Sequence, residues 1–217
     1  MKVFFERRKE LAPGIWQYYF RPERRVDFIP GQYADFHILQ PLDDPRGQSR
    51  VFTLTSLPSD ELLSFVVKFV RPLSPYKQAL QALQRGDELR MDEAMGDLVL
   101  PKMPSIPLVF IAGGIGAASF VGMTLALTEP RVITMFYALR DEKEQIFTNV
   151  FAPLNPYLCV SPARLSAETI TRNQAPDAQY YLSGSERFVE GLRHDLEALG
   201  VSHEQIVFDY FDGYIEL

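Results

Sequence analysis

Up to about residue 102, hydrophobic and polar residues alternate with a period of two, most plainly at Leu63, Phe65, Val67 and Phe69. Pro and Gly turns separate the alternating segments. The pattern predicts antiparallel strands at Gly14 to Phe20, Gln32 to Leu39, Arg50 to Thr55, Leu62 to Val70, Glu88 to Met91 and Leu98 to Leu100. Six short strands favour closure into a β-barrel, because an open antiparallel sheet leaves unpaired N–H and C=O groups along its edges. One helix interrupts them. Ser74 suits the N-cap, Pro75 the first helical position, and Ala79, Leu80 and Leu83 share a face before Gly86. This helix is expected to cap one end of the barrel.

After the proline-spaced segment Pro101-Lys102-Met103-Pro104-Ser105-Ile106-Pro107 the pattern changes to apolar runs alternating with amphipathic helices. The runs are Leu108 to Ala112, Val132 to Tyr137, Tyr157 to Val160, Tyr180 to Ser183 and Ile206 to Tyr210. Continuous apolar character is what parallel strands covered on both faces require. The last connecting helix is expected to be capped by Ser185, to bury Phe188, Val189, Leu192, Leu196 and Leu199, and to stop at Gly200. The expected architecture is therefore a two-domain β + α/β chain. Residues 1–102 form a six-stranded antiparallel β-barrel with a capping helix, and residues 103–217 a five-stranded parallel, Rossmann-like α/β domain.

Composition narrows the function. At 217 residues, 47% hydrophobic and 23% charged, the chain can bury a substantial core. The most apolar stretch, Ile106 to Leu127, is broken by Pro107 and four glycines, so no membrane span is expected. The first residues lack the pattern of a secretory signal, which makes the cytoplasm the default location. A net charge of −6 argues against a nucleic-acid surface, since such binding depends on Lys and Arg neutralising phosphates. A single cysteine, Cys159, excludes an internal disulfide and a protein-held iron–sulfur cluster, so any cluster belongs to a partner. His37, His194 and His203 show no metal-ligand spacing, and no metal site is expected.

Two glycine-containing turns follow predicted parallel strands. In Ala112-Gly113-Gly114-Ile115-Gly116-Ala117-Ala118-Ser119 the glycines permit positive φ and close backbone approach, and the helix that follows offers free N–H groups to a pyrophosphate. A tight turn in which glycine only relieves crowding is an equal reading of this motif alone. Ser119 stands where the dinucleotide fingerprint has a third glycine, and Phe136-Tyr137-Ala138 supplies no ribose-binding acid, which disfavours an ordinary dehydrogenase. Ser183-Gly184-Ser185 lies on the same rim, so Gly184 joins the candidate ligand-binding residues while Ser185 serves as a helix cap.

In the barrel, Pro30-Gly31-Gln32-Tyr33 precedes Arg50-Val51-Phe52-Thr53-Leu54-Thr55-Ser56, which combines a phosphate-binding cation, a flat aromatic ring and hydroxyls within seven residues. With these motifs in order the sequence resembles the ferredoxin–NADP reductase family. That family's barrel carries Arg-x-Tyr/Phe-Ser/Thr-x-x-Ser, and its nucleotide domain Gly-Gly-x-Gly and then Cys-Gly-Pro. The resemblance spans essentially the whole chain, through Arg50, Phe52, Thr53, Ser56, Ser74, Gly113, Gly114, Gly116 and the Ser183-Gly184 turn.

The resemblance implies FAD, in preference to FMN, held in the barrel, with NADH or NADPH as cosubstrate in the α/β domain. It assigns Arg50 and Ser74 to flavin phosphate, Phe52 to the flavin face and Thr53 to the reactive nitrogen. Gly113, Gly114 and Gly116 fall to the nucleotide pyrophosphate and Ser183 to the nicotinamide side. It implies hydride transfer from NAD(P)H to flavin and onward electron transfer to a separate acceptor such as ferredoxin, flavodoxin or another redox partner. Three departures bear on this. Ala118-Ser119 replaces the usual Thr-Pro, Ser183-Gly184-Ser185 replaces Cys-Gly-Pro, and Arg71-Pro72-Leu73 precedes Ser74 where the family has a glycine. They keep open a flavin-binding electron-transfer subunit with weak nicotinamide activity, and the lack of a built-in cluster keeps open a free-flavin or ferric-chelate reductase. Phe211, in Asp209-Tyr210-Phe211-Asp212-Gly213-Tyr214, either shields the flavin or packs on the core. Arg140 and Arg164 either bind a 2′-phosphate or sit as ordinary surface charges.

Overall fold

The computed structural model describes residues 1–211, so Asp212, Gly213 and Tyr214 of the aromatic terminus lie outside the described residues. The chain divides into two compact units, Met1–Val99 and Leu100–Leu217.

The first unit contains β1 (Lys2–Ala12), β2 (Ile15–Pro22), β3 (Tyr33–Ile38), β4 (Ser49–Thr53), β5 (Leu63–Lys68), α1 (Pro75–Ala82) and β6 (Glu88–Met91). The strands form one antiparallel sheet in the order β4-β3-β6-β1-β2-β5. Its two edge strands approach at a seam. Just beyond β4, the Thr55 N–H donates to the Ser64 carbonyl at 2.7 Å, and the Ser64 N–H donates to Ser56 Oγ at 3.1 Å. These bonds close the barrel and satisfy backbone groups that an open edge would leave to solvent.

The strand count matches expectation, but the membership does not. Leu98 to Leu100 forms no ladder; Val99 N–H turns back to the Asp97 carbonyl at 2.8 Å. The sixth strand is β1. Only Val3 and Phe5 reveal its inner face, because a bulge between Phe5 and Arg7 shifts the register and Arg7 to Glu10 faces solvent or lies near it. A bulge followed by a charged run erases the alternation by which a strand is recognised.

Aromatic rings fill the barrel. Phe65 is its hub, stacked on Phe52 at 4.1 Å and 8° and packed against Phe36 at 4.7 Å, Phe20 at 5.3 Å and Tyr18 at 5.9 Å. Each such pair is worth about 0.5–1.5 kcal/mol beyond the area it buries. Helix α1 begins as its sequence demands: Ser74 Oγ accepts from the Lys77 N–H, Pro75 follows, and Tyr76 and Leu80 are buried in the barrel core.

The second unit alternates strands and helices through β7 (Leu108–Gly113), a 3-10 turn (Gly114–Ala117), α2 (Ala118–Leu125), β8 (Ile133–Leu139), α3 (Thr148–Phe151), β9 (Tyr157–Val160), α4 (Ala167–Thr171), β10 (Gln179–Ser185), α5 (Glu186–Ala198) and β11 (Ile206–Phe211). All five strands are parallel, in the order β11-β10-β7-β8-β9. From β7 the chain runs one way to β8 and β9, then returns to place β10 on the other flank. The topological switch therefore lies between β7 and β10. Ser185 caps α5 through the Phe188 N–H, and Val189, Leu192 and Leu196 are buried. Leu199, expected on the inner face, is 48% exposed, because the helix ends at Ala198 and the chain turns at Gly200 with φ of +91°.

Candidate functional site

Within the first unit, the predicted residues of β4 separate by alternation. The Phe52 ring is partly buried, with one face against Phe65 and Tyr76 6.2 Å away. Thr53 is buried on the opposite side. Ser56 is buried at the seam, and its hydroxyl accepts the Ser64 N–H. Behind it runs a polar network that sequence reasoning did not find. Gln17 Nε2 donates to Thr55 Oγ1 at 3.2 Å and to Ser64 Oγ at 3.1 Å, and the Tyr19 hydroxyl donates to Gln17 Oε1 at 2.7 Å. Gln17, Ser64 and Thr55 come from three separate segments, so no local pattern announces them.

Arg50 is held more tightly than a solvent-facing cation. Its Nη1 donates to the Ser49, Arg46 and Gly47 carbonyls at 2.6, 3.2 and 3.2 Å, and its Nη2 to Asp44 Oδ2 at 2.7 Å. The guanidinium carbon lies 5.0 Å from the centre of the Tyr76 ring. The same Asp44 Oδ2 accepts the Tyr76 N–H at 3.2 Å, in the first turn of α1 next to the Ser74 cap, while Asp44 Oδ1 accepts the Arg46 N–H at 3.0 Å. Burial alone would raise the Asp44 pKa. The Arg46 and Tyr76 N–H groups and the Arg50 guanidinium outweigh it and hold the carboxyl below its ordinary value. Arg50 and the Ser74-capped helix start, assigned separately to a phosphate, thus meet at one anionic oxygen. Asp44 itself was not anticipated, since Asp43-Asp44-Pro45-Arg46-Gly47 reads locally as a solvated turn.

Within the second unit, the glycine turn sits at the carboxyl ends of β7 and β10, on either side of the switch. Its glycines do different jobs. Gly114 takes φ of +55°, and a Cβ there would meet nothing within 4 Å. A Cβ on Gly116 would lie 2.2 Å from the Ser183 carbonyl oxygen, so the turn touches β10 backbone to backbone. Cβ atoms on Gly113 and Gly184 would strike the Phe188 ring at 2.7 and 2.8 Å. Ser183 is fully buried, with its hydroxyl 3.0 Å from Ser119 Oγ. Its hydroxyl therefore faces Ser119 at the start of α2.

Arg140, just beyond β8, and Arg164, between β9 and α4, are exposed. Phe211 ends β11, paired with Ser185 at the same end of the sheet as the glycine turn. Asp209 pairs with Ser183, and burial pushes its pKa up to about 6. Among the described residues no cluster of His, Cys, Asp or Glu is placed to hold a metal ion, and no helix is long and apolar enough to cross a membrane.

The fold is that of the ferredoxin–NADP reductases, with a flavin-type barrel and a Rossmann-like unit in one chain. No protein-family model matches the chain. It superposes on a ferredoxin NADP+ reductase from Neisseria gonorrhoeae with bound FAD and NADP (TM-score 0.80, 18% identity, 97% of this chain and 98% of that one). The FAD/NAD-binding domain of a nitric oxide dioxygenase from Vibrio cholerae gives a TM-score of 0.79 at 18% identity, over 98% of each chain. By sequence, flavohemoprotein A of Dictyostelium discoideum is 24% identical over 95% of this chain and 59% of its own length. The reductase component of propane 2-monooxygenase from Mycolicibacterium smegmatis is 26% identical over 88% of this chain and 61% of its own. The chain thus spans about six-tenths of the length of these two relatives.

Proposed function

We propose that this chain is an FAD-dependent NAD(P)H oxidoreductase that takes hydride from the nicotinamide nucleotide and passes electrons to a separate acceptor. Residues 1–102 form the flavin-binding part and 103–217 the nucleotide-binding part. The observation that carries this reading is the convergence of Arg50 and the first turn of α1 on one anionic oxygen, beside the Phe52 ring. A cation and an N–H at a helix start aimed at one point suit a phosphate, and the Asp44 carboxylate that both now hold, an anion at that point, supports this reading. The residues therefore fit a phosphorylated flavin, and the solved neighbours with bound FAD support FAD over FMN.

When bound, flavin and nicotinamide supply the hydride chemistry, and the chain's residues supply position. Arg50 and the Ser74-capped helix hold the flavin phosphates, Phe52 offers the ring surface, and Thr53 and Ser56 present hydroxyls from the closing edge of the barrel. Gly113 and Gly114 give the nucleotide pyrophosphate bare backbone at the switch point, and Gly116 keeps that backbone against β10. Gly184 lets the β10 turn come equally close, Ser183 is assigned to the nicotinamide side, and Phe211, at the end of β11, is assigned the role of shielding the flavin. The acceptor is a ferredoxin, a flavodoxin or another redox partner; a monooxygenase reductase component among the relatives supports a protein acceptor.

The full chain is expected to purify yellow, or to turn yellow when supplied with FAD, and to bleach anaerobically with NADH or NADPH. Protein that binds neither FAD nor FMN overturns the reading. One observation favours a second reading, an electron-transfer subunit with little nicotinamide activity of its own. The Ser183 hydroxyl is fully buried and turned toward Ser119 at 3.0 Å, which favours a role in holding the turn over one at the reacting ring. Bound flavin that neither nucleotide reduces would select this alternative.

A further inference from the structure

Asp44 lies in the loop between β3 and β4 and has 2% of its side chain exposed; Arg50, its ion-pair partner, has 13%. Both terminal nitrogens of Arg50 already have acceptors within the chain, Nη1 on three carbonyls and Nη2 on Asp44. The Tyr76 N–H at the start of α1 is directed to the same carboxylate oxygen. A phosphate seated on these donors would have to share them with a carboxylate a few ångströms away, and two anions so placed in a partly dry site repel each other. The remaining oxygen of Asp44 is bonded to the Arg46 N–H, which anchors the carboxylate to its own turn. Around it Asp43, Pro45, Arg46, Gly47 and Gln48 are exposed, so of this turn only the Asp44 side chain is buried against Arg50 and α1.

We propose that Asp44 is an internal competitor for the phosphate of the flavin. Its carboxylate occupies the anion position between Arg50 and α1, so a phosphorylated flavin loads only as the Asp44–Arg50 pair opens. The residue thereby removes most of the advantage that phosphate would otherwise give FMN or FAD over unphosphorylated riboflavin. This rests on the flavin reading above. The alternative role, in which Asp44 orients Arg50 to receive the phosphate, predicts the opposite sign for its removal.

The test is titration of the full chain with FAD, FMN and riboflavin, followed by quenching of flavin fluorescence, for the unchanged protein and for Asp44→Asn and Asp44→Ser. Circular dichroism melts establish that each variant is folded. The unchanged chain is expected to bind FMN no more than about tenfold tighter than riboflavin. Asp44→Asn is expected to tighten FMN and FAD by roughly tenfold or more while moving riboflavin by less than about threefold. FMN binding about a hundredfold tighter than riboflavin in the unchanged chain would overturn the proposal without needing any variant. Weaker FAD binding by a folded Asp44→Asn or Asp44→Ser chain, or equal tightening of riboflavin, would also overturn it and leave the flavin assignment standing. Failure of all three flavins to bind any of the chains would instead remove the flavin reading, and this proposal with it.

Discussion

Ser119 and Ser183 place their hydroxyl oxygens 3.0 Å apart, and neither residue has measurable solvent exposure. The bond ties α2 to the carboxyl end of β10, across the edge of the glycine turn. A buried hydroxyl pair of this kind contributes about 1 kcal/mol net. Ser119→Ala, Ser183→Ala and the double variant, compared by urea unfolding, should show a coupling energy of about 0.5–1.5 kcal/mol. Strictly additive losses would mean that the pair does not act as a unit.

The glycines should rank by what surrounds them. Gly116→Ala drives a Cβ into the Ser183 backbone, which cannot yield as a flexible side chain would, and should cost more than about 2 kcal/mol along with nucleotide binding. Gly114→Ala meets no atom and suffers only its left-handed φ, for about 1 kcal/mol. Gly191→Ala, inside α5 with open space around it, should stabilise by up to about 1 kcal/mol. Melting temperatures of the three variants check this order.

Arg50→Gln removes the cation facing a buried carboxylate. Because the Arg46 and Tyr76 N–H groups still serve Asp44, the loss should sit near the lower end for a broken buried pair, about 3 kcal/mol. Adding Asp44→Asn should restore most of it, whereas FAD binding should stay weak if, as proposed, Arg50 holds the flavin phosphate. Denaturant unfolding and flavin titration of the single and double variants separate the two effects.

Asp209 sets a pH dependence. Burial raises its pKa from 3.8 to about 6, so the folded chain holds its proton more tightly than the unfolded chain does. The stability associated with this group is present in full below about pH 4 and is lost as pH rises through about 6. Allowing for its partial exposure, the loss is on the order of 1 kcal/mol. Asp209→Asn should flatten the stability profile between pH 4 and 7 and be more stable than the unchanged chain at pH 7. An identical slope in both proteins would remove Asp209 as its source.

The sequence by itself determined those features whose cause is local. The Ser74-Pro75 helix start, the Ser185 cap with its Val189, Leu192 and Leu196 face, and the apolar parallel strands all follow from neighbours a few residues apart. So does the order of the barrel and nucleotide motifs, which places Arg50, Phe52 and Thr53 on one strand and the glycine turn after β7. Tertiary structure decided what depends on residues distant in the chain. It made Lys2–Ala12 a strand although a bulge and a charged run hide its period, because two neighbouring strands accept its hydrogen bonds. It turned the Ser183 hydroxyl toward Ser119, and it set Asp44 against both Arg50 and α1. Local pattern records how a segment satisfies its own backbone and which face it buries. That the Asp44 carboxylate meets Arg50 depends on a loop and a helix brought together only by closure of the barrel, which no local pattern records.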